Sequence, residues 1–79
     1  METVIYKKYE NGYYTFLFEN GEEMVFEEVN PRVLHRFDLK NDQSLINKKF
    51  YLSFVEVFDD DYEDFLIYRI EYLELINSN

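Results

Sequence analysis

The 79-residue chain contains no cysteine and no tryptophan, and has one proline, two glycines and one histidine. Without cysteine there is no disulfide and no thiolate nucleophile or ligand, so packing alone must hold a domain of this size. A single imidazole leaves little room for a zinc centre or a Ser-His-Asp arrangement. No apolar run approaches the roughly 18 residues of a membrane span. The opening METVIYKKYENG has no apolar core of the length a signal peptide needs. The expectation is one soluble, cytoplasmic domain spanning residues 1–79.

Aromatic and acidic residues are abundant. Eight Phe and eight Tyr supply the apolar bulk, each ring being a large buried surface once packed. Seventeen acidic against eight basic side chains give a formal charge of −9. That charge favours solubility and opposes nonspecific attraction to nucleic acid or to an anionic membrane, which are polyanionic themselves.

The segment Lys48 to Ile76 carries the longest apolar-rich pattern, two strands joined by the acidic stretch Asp59–Asp64 (DDDYED). Upstream, Thr3 to Tyr9 reads as a first strand, ended by Asn11-Gly12, a type I′ hairpin signal. Tyr13 to Phe18 alternates Tyr14, Phe16 and Phe18 against Tyr13, Thr15 and Leu17. Asn20-Gly21 is read as a second turn of the same type. Glu22 to Val29 is then a third strand, with Met24 and Phe26 on one face and Val25 and Val29 on the other. Asn30-Pro31 supplies an N-cap and a first helical residue, predicting one short helix over Pro31–Asp38. Leu45 and Ile46 are expected beneath the sheet, and Asn47 in a left-handed turn.

In the fourth strand Phe50, Leu52, Phe54 and Phe58 alternate with Tyr51, Ser53, Val55 and Val57. The fifth strand, from Phe65 to about Ile76, uses Leu66, Tyr68 and Ile70 early, then Leu73 and Leu75. That change of phase predicts a bulge near Glu71-Tyr72. Phe54 and Ile70, each mid-strand, are expected to be buried.

The order β-β-β-α-β-β resembles that of the OB-fold, a five-stranded antiparallel barrel with its helix between strands three and four. The fold class expected is therefore mainly β with one short helix; an SH3-like barrel is the alternative. The chain also resembles small acidic bacterial or phage proteins without an assigned activity. Fold does not fix function.

Candidate sites follow from chemistry. The hydroxyls of Thr3, Thr15, Ser44, Ser53 and Ser78 have no evident activating base, and His35 lies on the polar side of the helix, so no catalytic residue is assigned and the chain is read as not an enzyme. Asp59, Asp61 and Glu63 recur at alternate positions, as oxygen ligands of a hard cation would. Counted from Asp59, however, Asp64 and Ile70 stand where an EF-hand loop needs Gly and a bidentate Glu. The loop is thus read as solvated, with no metal and no cofactor. Tyr6, Tyr9, Tyr13 and Tyr14 offer stacking surfaces for bases, but Glu22, Glu23, Glu27, Glu28 and the acidic loop surround them. They are read as core filling, and nucleic-acid binding as disfavoured. The residues expected to meet a protein partner are the basic stripe Arg32, Arg36 and Lys40 and the acidic set Asp59, Asp60, Asp61, Glu63 and Asp64. The functional expectation is a small noncatalytic protein-protein interaction module. The alternatives are an acidic nucleic-acid mimic that inhibits a DNA-binding protein, and a domain binding single-stranded nucleic acid.

Overall fold

The computed structural model describes residues 1–58 and 65–77. Among these, six strands form one sheet. They are β1 (Glu2–Glu10), β2 (Tyr13–Phe18), β3 (Glu23–Phe26), β4 (Glu28–Val29), β5 (Lys49–Phe58) and β6 (Leu66–Leu75). One helix, α1 (Pro31–Arg36), and a 3₁₀ turn at Gln43–Leu45 separate β4 from β5. The strand order is β3-β2-β1-β5-β6-β4, and the ladder is not closed. The protein is mainly β with one short helix, as expected, but the sheet has six strands instead of five and its two ends do not pair with each other.

The extra strand comes from a break at Glu27. β3 pairs antiparallel with β2, whereas β4 pairs parallel with β6, through Glu28–Arg69 and Val29–Ile70. The chain bends as it leaves one neighbour for the other. Phe26 and Val29 are consequently both buried although they lie three positions apart, an odd offset that simple alternation puts on opposite faces, and Val25 is exposed. The expectation that Val25 and Val29 share a face is corrected by that bend.

The turns follow local chemistry. Asn11 and Gly12 take φ of 54° and 88°, the paired positive values of a type I′ hairpin. The second turn differs. Only Gly21 has positive φ, at 87°; its N–H donates to the Phe18 oxygen at 3.0 Å, and the Asn20 side chain accepts from Glu22 N at 2.9 Å. With its side chain bonded to the backbone two residues on, Asn20 stays out of the left-handed region, and the loop is one residue longer than expected.

Two bulges shape the sheet. In β1, Tyr6 faces Phe16 and Lys8 faces Thr15, leaving Lys7 as the extra residue. Asn47, at φ 71° as anticipated, locks this bulge: its N–H donates to the Tyr6 oxygen at 2.7 Å, and Lys7 Nζ donates to its Oδ1 at 2.8 Å. In β6, Ser53 faces Tyr72 and Phe54 faces Ile70, so Glu71 is extra, where the change of apolar phase places it.

Phe16 sits at the centre of the core, its ring 5.0 Å from that of Tyr6, 5.8 Å from Phe26 and 6.5 Å from Phe50. Val33 from α1, Leu39, and Leu45 from the 3₁₀ turn complete it. The helix stops at Arg36, short of Asp38, because Phe37 turns extended (φ −129°, ψ 113°). Its ring thereby packs edge-on against Phe50 at 5.4 Å.

Ile70 is fully buried, as expected, but Phe54 is only partly covered. Phe58, and with it Leu66 and Leu75 of the expected core set of the last strand, are exposed. The reason for the first two lies in the register: β1 pairs with β5 only as far as Leu52. Past that point β5 and β6 continue to pair without β1.

Candidate functional site

Asn30 fixes one candidate surface. Its Oδ1 accepts from the Arg32 N–H at 3.0 Å, capping α1, while its Nδ2 donates to Glu71 Oε2 at 3.3 Å. Glu71 is the bulge residue, so the bulge aims a carboxylate at the helix start. Arg69 Nε donates to the other Glu71 oxygen, and Arg69 Nη1 lies 3.9 Å from Glu28. The Arg69 hydrogen bond, followed by that of Asn30, holds the Glu71 carboxyl below its ordinary value. Between α1 and β6 runs a groove lined by Asn30, Arg32, Val33, Arg36, Tyr72 and Leu73. Tyr72 donates to Glu74 at 2.7 Å, a bond that raises its pKa.

This groove holds two members of the expected basic stripe. Lys40 is elsewhere. Because the helix ends at Arg36, Lys40 does not fall one turn further on; its Nζ sits over the Tyr9 ring, 5.5 Å from the centroid. Arg36 also lies over a ring, 5.1 Å from the Phe37 centroid. Two members of the stripe, Arg36 and Lys40, thus lie against separate aromatic faces, and Arg32 lines the groove. Asp59, Asp60, Asp61, Glu63 and Asp64 lie outside the described residues.

The four tyrosines divide. Tyr6 and Tyr14 are buried and Tyr9 is half-buried, 4.8 Å from Tyr14. Tyr13 is exposed. Burial, with Tyr14 and Tyr9 adding to it, pushes the Tyr6 hydroxyl up to about 12, and burial also raises that of Tyr14 against the opposing pull of Lys40. A base arriving at the surface therefore finds one freely presented ring of the four. Among the hydroxyls, Thr15 is buried, and Ser44 Oγ donates to Asp42 at 2.6 Å within the cap of the 3₁₀ turn. Among the described residues no three acidic or imidazole side chains converge as metal ligands.

Comparison with protein-family models, with curated proteins and with solved structures finds no match to this chain.

The surface that alternation did not reveal is the outer half of the β5–β6 hairpin. Val55 is 38% exposed, Phe58 66%, Phe65 63% and Leu66 47%, and Phe58 and Leu66 are cross-strand partners. Phe58 and Leu66 thus form an exposed apolar pair, whereas isolated exposed apolar side chains are ordinary on a protein surface. At the root of the projection Phe54 meets Phe18, Phe26 and Tyr68 at 6.3, 5.3 and 5.7 Å. The signal in the sequence is one of length: β5 and β6 are ten residues each, more than β2, β3 and β4 can cover. No described helix is long and apolar enough to cross a membrane.

Proposed function

We propose that this chain is a small, cytoplasmic, noncatalytic protein-interaction module on an OB-like barrel, engaging its partner with the projecting β5–β6 hairpin. The observation that carries the reading is the exposed cross-strand pair Phe58 and Leu66 on one face of that element, with Val55 exposed on its other face. Such a pair is stabilised by docking, since each large side chain fully withdrawn from water contributes up to about 1.5–3 kcal/mol.

The barrel reading rests on chain continuity. β3 and β4, at opposite ends of the strand order, are separated by Glu27 alone, whose N–H donates to the Tyr68 oxygen at 3.3 Å. One bent segment therefore borders both β2 and β6. An α-helix before β5, in place of a lone 3₁₀ turn, favours the OB-like arrangement over an SH3-like one.

A second reading, mimicry of nucleic acid, draws on the exposure of Glu22, Glu23, Glu27 and Glu28 along β3 and β4. Salt separates the two. Partners are captured from cell extract by wild type and by a Phe58→Ser/Leu66→Ser variant, at low and high salt. A partner held at high salt by wild type and lost by the variant supports the hairpin interface. Partners held equally by both and released by salt favour mimicry and overturn it.

A further inference from the structure

We propose that β5 adds a partner's strand along its open edge, Ser53–Phe58, and that this strand is an extended segment with a Lys or Arg between two apolar residues. The inference rests on the module reading above and specifies how the partner is held.

The open edge follows from backbone alternation. Ile76 N–H donates to the Lys49 oxygen at 2.9 Å, so the polar groups of Lys49 face β6. Counting along β5 in twos, those of Phe50 and Leu52 face β1, and those of Phe54, Glu56 and Phe58 face the same way. The register with β6 agrees, because Val55 and Val57 stand opposite Arg69 and Ile67 beyond the bulge. β1 reaches Leu52 and no further. Among the described residues no strand meets the N–H and C=O groups of Phe54, Glu56 and Phe58. A row of such groups templates another strand. The incoming strand would lie collinear with β1 and antiparallel to β5.

Its chemistry is set by what stands opposite each position. Phe54 and Phe58 flank Glu56 on one face, and the residues facing them across a ladder contact them directly. Apolar side chains fit opposite Phe54 and Phe58, and a cation fits opposite Glu56. Other charges reinforce the sign: Glu2 stands opposite Leu52 where β1 gives out, and the chain carries −9. A second copy is a poor occupant. Two such edges pairing antiparallel engage all three positions in one register only, with Phe54 opposite Phe58 and Glu56 opposite the other copy's Glu56. Like charges directly opposite destabilise a ladder, and each copy also brings its own net negative charge.

The test uses fluorescence anisotropy with the full chain and two capped, labelled peptides, Thr-Phe-Thr-Lys-Thr-Phe-Thr and its counterpart with Glu at the centre. Wild type is expected to bind the Lys peptide about fivefold more tightly than the Glu peptide, and Glu56→Lys to reverse that order. Glu56→Pro removes an N–H that faces the open edge and no β5–β6 bond, a position where a strand tolerates proline. With its thermal melt intact, this variant is expected to lose the Lys peptide. If it does not fold, the charge reversal decides alone. Equal binding of both peptides by wild type and Glu56→Lys overturns the proposal, as does absence of binding at millimolar peptide. Loss of either peptide on Phe58→Ser/Leu66→Ser with full retention by folded Glu56→Pro overturns strand addition and leaves the apolar hairpin interface standing. Dimerisation of wild type by sedimentation, abolished by Glu56→Pro, would assign the edge to a second copy and also overturn it.

Discussion

The Tyr6 hydroxyl donates to the Leu39 backbone oxygen at 2.5 Å, both residues being buried. This bond ties β1 to the segment after the helix across 33 residues of sequence. Tyr6→Phe removes the hydroxyl and leaves a buried carbonyl without it, which is expected to cost about 1–3 kcal/mol. The readout is the urea midpoint at neutral pH.

The same hydroxyl makes stability depend on alkaline pH. Its pKa rises from 10.0 in the open chain to about 12 in the fold, so the folded state resists losing the proton. The contribution is complete below pH 10 and is lost as pH rises through about 12. The melting temperature should hold to about pH 9 and fall above pH 10, and Tyr6→Phe should flatten part of that fall. Tyr14, also raised, acts in the same direction.

Truncations should rank by cover. Phe26→Ala and Phe50→Ala remove fully buried rings and are expected to cost about 3–5 kcal/mol each, enough to unfold much of a domain this small. Phe54→Ala, at a partly covered site, should cost clearly less. Equal shifts for Phe54 and Phe26 in chemical denaturation would contradict the picture of an uncovered outer hairpin.

Asn30→Ala removes both the cap of α1 and a hydrogen bond to Glu71. The expected loss is about 1–2 kcal/mol. Because Arg69 and then Asn30 hold the Glu71 carboxyl low, its contribution is present above the open-chain value and disappears as pH falls through the folded one. By NMR titration the Glu71 midpoint should lie below 4.5 in wild type, move up in Asn30→Ala and move up further in Arg69→Met.

Mixed-sequence single-stranded DNA should not bind at physiological salt. Tyr6 and Tyr14 are inside, and the exposed carboxylates of β3 and β4 oppose a phosphate chain. Salt-sensitive saturation in an anisotropy titration at micromolar protein would reverse that expectation.

What the sequence disclosed was local. Asn11-Gly12, the strand Tyr13–Phe18, the Asn30-Pro31 helix start, Asn47 and the bulge at Glu71 each follow from the chemistry of a few adjacent residues, and each is where alternation or turn preference puts it. The misread features depend on distant partners. Glu27 breaks its strand because β2 and β6 compete for the two halves, and Lys7 is extruded because Asn47 takes the Tyr6 carbonyl. Phe58 and Leu66 look like core residues until the reach of β1 is known. Arg32, Arg36 and Lys40 look like a stripe only on a helix that runs past Phe37. The open edge of β5 was invisible for the same reason, since alternation describes faces and says nothing of which strand lies beside which.

The parallel seam between β4 and β6 bears on how the chain finds its fold. Each antiparallel hairpin can form from neighbouring sequence, but this seam, with the Asn30–Glu71 bond that spans 41 residues, must wait for a long loop to close. Two residues of ladder are a small reward for that closure. The amides of Glu27 and Asn30, which donate to β6, should therefore exchange with solvent well before those at the centre of β2. Breathing of the native protein would begin there, with the bent segment lifting from β6 while the β1–β2 and β5–β6 hairpins stay intact.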